Sequence, residues 1–195
     1  MKMLIAALAL VSTAALAAAV RQPAPDFALK DVSGRTVKLS DYRGRYVVLE
    51  WVNPECPYVQ KHYGSGNMQG LQRDYTAKNV AWLTIDSTNT DHSEYYAPEK
   101  LAGWMRRMGG APTATLLDPT GTVGRAYGAR TTPHLFIVDP KGELIYAGGI
   151  DDRRSTDPDD VKTARNYVRA AMGEALAGRP VAEASTRPYG CSIKY

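Results

Sequence analysis

The chain holds two cysteines in 195 residues, Cys56 and Cys191, and the surroundings of the first suggest chemistry. Cys56 lies in "NPECPYVQKHY" (53–63), directly after "RYVVLEWV" (45–52), which has the β-branched and aromatic content of a buried strand. Pro57 follows, a residue suited to the first turn of a helix, where a missing N–H costs nothing. At such a helix start, unpaired backbone N–H groups and the helix dipole stabilise a thiolate, the nucleophilic form of the group. The expected chemistry is therefore attack on a disulfide or a peroxide. Redox sites of this form usually have a second cysteine three residues on, and here that position is Val59.

Other residues could assist. Glu50 lies six residues before Cys56, inside the same strand. If buried, it would have a raised pKa suited to a general base; if on a sheet edge, it would be a solvated charge. Glu55 adjoins the thiol, where its charge would oppose a thiolate. His62 and His134 raise the question of a soft-metal site with Cys56, but one cysteine is fewer than such copper sites use, and no metal or other cofactor is expected. Arg125, Arg130 and Arg153 are candidates for stabilising a thiolate or a substrate, at positions the sequence leaves open.

Cys191 sits in a tail, "RPVAEASTRPYGCSIKY" (179–195), that lacks periodicity. The 13 steps from Gly178 to Cys191 can span roughly 43 Å, about the width of a domain this size, so contact with Cys56 is within reach. Two readings stay open. Cys191 resolves a mixed disulfide or sulfenic acid on Cys56, or it forms a permanent bridge contributing up to roughly 5 kcal/mol.

The compartment bears on that choice. "MKMLIAALALVSTAALAAAV" (1–20) has a lysine near its start, an apolar run and small residues for cleavage, the pattern of a signal peptide over residues 1–19. The expected mature protein is periplasmic or secreted, where disulfides form readily, with no membrane association after cleavage. A length of 195 residues suits a single domain over residues 20–195. The formal charge of +4 comes with no basic run and no nucleic-acid reading motif, so no nucleic-acid partner is expected.

Elements must position these residues. "DFAL" and "TVKL" form a small hairpin around "VSGR"; 46–52 and 80–86 are buried strands. The helix after Cys56 breaks at "GSGN" (64–67), and Asn67 is placed to cap a second piece. Leu101, Trp104, Met105 and Met108 share one face of a helix that starts near Pro98. "TATLLD" is a strand, "GTVGRAYG" a short helix or turn, and "HLFIVDPKGELIYAGG" a hairpin. "DPDDVKTARNYVRAAMGEALAG" (157–178) reads as one helix with acids in its first turn. Together these predict an α/β fold: a central mixed sheet with helices on both faces and Cys56 at a strand's C-terminal end.

Three stretches resemble the thioredoxin-like superfamily in its peroxiredoxin-like (redoxin, AhpC/TSA-related) branch. They are "VVLEWVNPECPYV", "ARTTPHLFIVDPKGELIYAGGIDD" and the ending "TRPYGCSIKY", the last similar to a peroxiredoxin-like family with a "CPYV" site. The resemblance implies Cys56, Cys191 and Glu50 as catalytic residues, and Thr132, a cis Pro133, Pro57 and Tyr58 as the substrate-binding surface. It implies thiol–disulfide exchange with thiol or disulfide proteins, or as alternatives peroxidase activity on small peroxides as an antioxidant, or a non-catalytic binding protein on the same fold, such as one that binds copper. The sequence departs from two patterns: Val59 replaces the second cysteine of a dithiol site, and Asn53 and Leu49 replace the threonine and proline of a peroxidase signature.

Overall fold

A computed structural model describes residues 17–195. The expected signal peptide lies almost wholly outside the described residues. Among those described, no helix is long and apolar enough to cross a membrane.

Among the described residues, nine strands and five α-helices follow one another as β1 (Ala28–Asp31), β2 (Thr36–Lys38), β3 (Val47–Trp51), α1 (Pro57–Gly64), α2 (Asn67–Thr76), β4 (Ala81–Asp86), α3 (Pro98–Arg107), β5 (Ala114–Leu117), α4 (Thr122–Tyr127), β6 (Thr131–Thr132), β7 (His134–Val138), β8 (Leu144–Gly148), α5 (Tyr167–Leu176) and β9 (Cys191–Ser192). Seven strands form one mixed sheet in the order β2-β1-β5-β4-β3-β7-β8. Strands β3, β4 and β5 run parallel, while β7 pairs antiparallel with β3 and β1 antiparallel with β5. The expected fold is the one observed.

β3 sits at the centre, between β4 and β7, and every one of its residues is buried. Side chains alternate across a strand, so its residues divide between two cores. Val48 and Val52 join Cys56, Val59 and Tyr63 of the α1 side, where α2, α3 and α5 also pack. Val47, Leu49 and Trp51 join Phe136, Val138 and Tyr127 on the other face, which α4 covers. Val59 is fully buried in the first of these cores. The position of the absent second cysteine is thus filled by a core valine.

Two local expectations are corrected. Asn67 does not cap α2: Gly66, with φ of 76°, takes the N-cap position, and the Asn67 side chain turns to the His62 ring instead. The segment 157–178 is not one helix. Its first part, Pro158–Lys162, is a 3-10 turn capped by Asp157, and α5 begins anew after the Asn166 cap. The cause lies in the backbone between them. Asp152 N–H donates to the Arg165 carbonyl and Tyr167 N–H to the Ile150 carbonyl, so the chain is held extended through Asn166, just before α5.

Candidate functional site

Cys56 is the N-cap residue of α1, with extended backbone (φ −74°, ψ 121°) and Pro57 just after it. A tight turn sets its position: Cys56 N–H donates to the Asn53 carbonyl at 3.1 Å, and the Asn53 side-chain oxygen accepts from Glu55 N–H at 2.7 Å. The thiol is buried, 2% exposed, and donates to the Thr132 carbonyl at 3.0 Å. The Thr132–Pro133 peptide bond is cis. Thr132 is itself buried, and its hydroxyl has no partner among the described residues.

The tail closes the site. Strand β9 pairs antiparallel with β6, placing Cys191 opposite Thr132 and Ser192 opposite Thr131. Cys191 thereby stands opposite the residue whose carbonyl Cys56 holds, close enough for Cys56 to act on its thiol. Both are free thiols. Burial, the Cys56 hydrogen bond and the Cys56 charge push the Cys191 thiol up to about 12. The rest of the tail is fastened along the way. Thr186 N–H donates to the Ala147 carbonyl, Ile193 N–H to the Arg130 carbonyl, and the Tyr195 hydroxyl to the Ala129 carbonyl. A segment without sequence periodicity is thus ordered by contacts with the body of the protein.

The other site candidates separate into near and far. Pro57 is exposed and Tyr58 half-buried at the start of α1, and the Tyr58 ring stands edge-on to Tyr189 with centroids 5.8 Å apart. Glu50 is fully buried on the Cys56 side of the sheet, so a solvated edge charge is ruled out. Its carboxylate accepts from Trp82 Nε1 (2.7 Å), the Tyr63 hydroxyl (2.9 Å), Gln72 Nε2 (3.2 Å) and the Thr84 hydroxyl (3.2 Å). Among the described residues it makes no hydrogen bond to either cysteine. Burial raises its pKa, against the pull of those four donors. Glu55 is exposed and accepts from the Tyr96 hydroxyl.

His62 is fully buried, with both ring nitrogens engaged, one by the Tyr189 hydroxyl and the other by Asn67. His134 packs against Phe136, centroids 4.4 Å apart, on the face of the sheet opposite the Cys56 core. The copper site formed from Cys56, His62 and His134 is therefore not assembled. Among the described residues no group of three or more metal-ligating side chains occurs. Nor do two of the three candidate arginines converge on the thiols: Arg125 lies over the Tyr195 ring, and Arg153 lies 3.8 Å from Asp152. Sequence reasoning missed Tyr189 and Asp151, which hold the tail in place. No spacing links residues 62, 151 and 189, and only the quoted "PYGC" places Tyr189 near a functional residue.

The buried histidines carry a pH consequence. Burial, reinforced by the Arg130 charge, lowers the His134 pKa from 6.5 to about 3. The folded protein therefore binds fewer protons than the unfolded chain between those values, and stability is lost as pH falls below 6.5. In His134→Asn the amide oxygen can still accept the Arg130 N–H, which His134 Nδ1 accepts at 3.3 Å. Urea unfolding at pH 7 and pH 4 should show this variant losing about 3 kcal/mol less than the parent on acidification. Equal losses would show that His134 titrates normally.

A thiol at the start of the helix after a central strand, facing a cis-proline strand, is the site of a thioredoxin-like protein. The sequence profile of the AhpC/TSA family matches residues 20–147, and the chain belongs to that family. It is similar to the thiol-disulfide oxidoreductase ResA of Geobacillus thermodenitrificans, with 31% identity over 66% of this chain and 68% of the relative. It is also 32% identical to the mitochondrial thioredoxin-dependent peroxide reductase of Drosophila melanogaster, over 72% of this chain and 63% of that one. Among solved structures, an uncharacterized conserved protein from Geobacillus kaustophilus superposes with a TM-score of 0.79 at 30% identity, covering 91% of this chain and 92% of the other. The family match ends at residue 147, so Cys191 comes from a segment outside it.

Proposed function

We propose that this protein is an exported thiol–disulfide oxidoreductase, one thioredoxin-like unit over residues 20–195, with Cys56 as nucleophile and Cys191 as resolving thiol. The carrying observation is the pairing of β9 with β6, which brings Cys191 beside Cys56. The Cys56 thiolate attacks one sulfur of a partner disulfide, forming a mixed disulfide and releasing one partner thiolate. Cys191, giving up its proton to solvent, then attacks the Cys56 sulfur. The second partner thiol leaves and a Cys56–Cys191 disulfide remains. The partner has been reduced by two electrons and the cysteine pair oxidised; a reducing thiol protein restores the pair. In this scheme Thr132, Pro133, Pro57 and Tyr58 form the surface that receives the partner. No cofactor enters the scheme.

A peroxidase is the second reading, favoured by the similarity to a peroxide reductase. The peroxidase signature's threonine is Asn53 here, and its amide is committed to the Thr88 hydroxyl at 3.2 Å and Glu94 at 3.0 Å. That leaves it no free donor for a peroxide. Stopped-flow mixing of the reduced protein with a small disulfide and, separately, with hydrogen peroxide tests the choice. Disulfide exchange should be fast and fall to background in Cys56→Ser, with slow peroxide consumption. Fast sulfenic acid formation on Cys56 would replace the exchange reading with the peroxidase one.

A further inference from the structure

The segment carrying Cys191 is held over Cys56 by a buried polar chain two residues upstream. The Tyr189 hydroxyl lies 3.0 Å from His62 Nε2 and donates to Asp151 Oδ1 at 2.5 Å. On its other side, His62 Nδ1 lies 2.9 Å from the Asn67 side-chain nitrogen, which can only donate. Nδ1 is therefore an acceptor and the ring proton sits on Nε2. The bonds run in one direction, from Asn67 to His62, to Tyr189, to Asp151. With the tail in place His62 and Asp151 are 0% and 2% exposed, so the Tyr189 hydroxyl bonds to two buried groups. Lys61 stands 5.7 Å over the Tyr189 ring, and Tyr58 meets it edge-on. Of all these residues only Tyr189 belongs to the tail.

The next residue makes the close approach sterically possible. Gly190 has φ of 140°, and a Cβ added to it would stand 2.0 Å from the Thr132 carbonyl oxygen. No side chain fits between the tail and β6 at that point. Cys56 itself is only 2% exposed beneath this segment. A partner disulfide must find the tail displaced.

We infer that Tyr189 is the latch of this tail: its hydroxyl, clasped by His62 and Asp151, both limits access to Cys56 and positions Cys191 to resolve the adduct. The inference rests on the proposed exchange function for its second half, while the gating of access stands independently. Loosening the latch has opposite effects on the two steps. Cys56 becomes easier to reach, and Cys191 becomes slower to resolve what forms there. A residue that merely stabilised the fold would not produce this split.

Two full-length variants test it from different sides. Tyr189→Phe keeps the ring and removes the hydroxyl; Gly190→Ala expels the tail from β6 without touching the polar chain. Three quantities are read: Cys56 alkylation by iodoacetamide, lifetime of the Cys56 adduct with a thionitrobenzoate–peptide mixed disulfide, and backbone hydrogen exchange. Both variants should alkylate at Cys56 roughly tenfold faster or more, the worth of one buried hydrogen bond. The adduct should live longer, and amides of residues 189–193 should exchange faster while those of β3 and β4 keep parental protection. Parental alkylation rates in both variants, or equal acceleration of exchange throughout the protein, would overturn the latch. Faster alkylation with no disulfide exchange in any protein would uphold the latch and overturn the redox function.

Discussion

The Cys191→Ala protein is expected to accumulate a Cys56 mixed disulfide that long outlives the one formed by the parent. In the parent, Cys191 is opposite Thr132 in the β6–β9 register, beside Cys56, so in the proposed cycle resolution is intramolecular. A tethered thiol acts at millimolar effective concentration or above. With external thiol held micromolar, losing it should lengthen adduct lifetime roughly 100- to 1,000-fold. The protonation of Cys191 fits the order of events. Beyond burial, the largest causes pushing its thiol up are the hydrogen bond and the charge of Cys56. Both causes vanish once Cys56 is tied up in a mixed disulfide, so Cys191 ionises more readily in the state where it must attack. Mass spectrometry of the Cys56 adduct over time, after incubation with an oxidised small thiol, gives the answer. Equal lifetimes in variant and parent would remove Cys191 from the cycle.

How much of this was readable beforehand follows from how local each signal is. The strand, cysteine, proline and helix around Cys56 lie within one stretch of chain, and the structure has β3, Cys56 and α1 in that order. The reach of the tail could be counted, but not its path. That path depends on Gly190 meeting the Thr132 carbonyl and on Tyr189 finding His62 and Asp151, groups brought together only by the fold. The break before α5 was hidden for the same reason, since the backbone at residues 165–167 bonds to Ile150 and Asp152 where the helix starts anew. The separation of His134 from Cys56 depends on side-chain parity in β7, where His134 shares its face with Phe136 rather than with Leu135. Only an established register can assign that.

Glu50→Ala should cost about 4 kcal/mol or more of folding stability, while Glu50→Gln should cost far less. The alanine leaves Trp82 Nε1, the Tyr63 hydroxyl, Gln72 Nε2 and the Thr84 hydroxyl facing a cavity in a fully buried site. Unsatisfied buried donors cost about 1–3 kcal/mol each, and some relax onto one another, as Gln72 Nε2 already contacts the Tyr63 hydroxyl at 3.0 Å. Glutamine keeps the shape and one strong acceptor, and it removes the charge. The pH dependence of the two proteins should then differ in a defined direction. Burial raises the Glu50 pKa above its ordinary 4.5, so the folded protein holds this proton more tightly than the unfolded chain. Its contribution is fully present below about 4.5 and is lost as pH rises through the folded value. Denaturant titrations from pH 4 upward should show the parent losing stability relative to Glu50→Gln. If the two curves stay parallel, the carboxylate enters the core already ionised at no cost, and the four donors outweigh its burial.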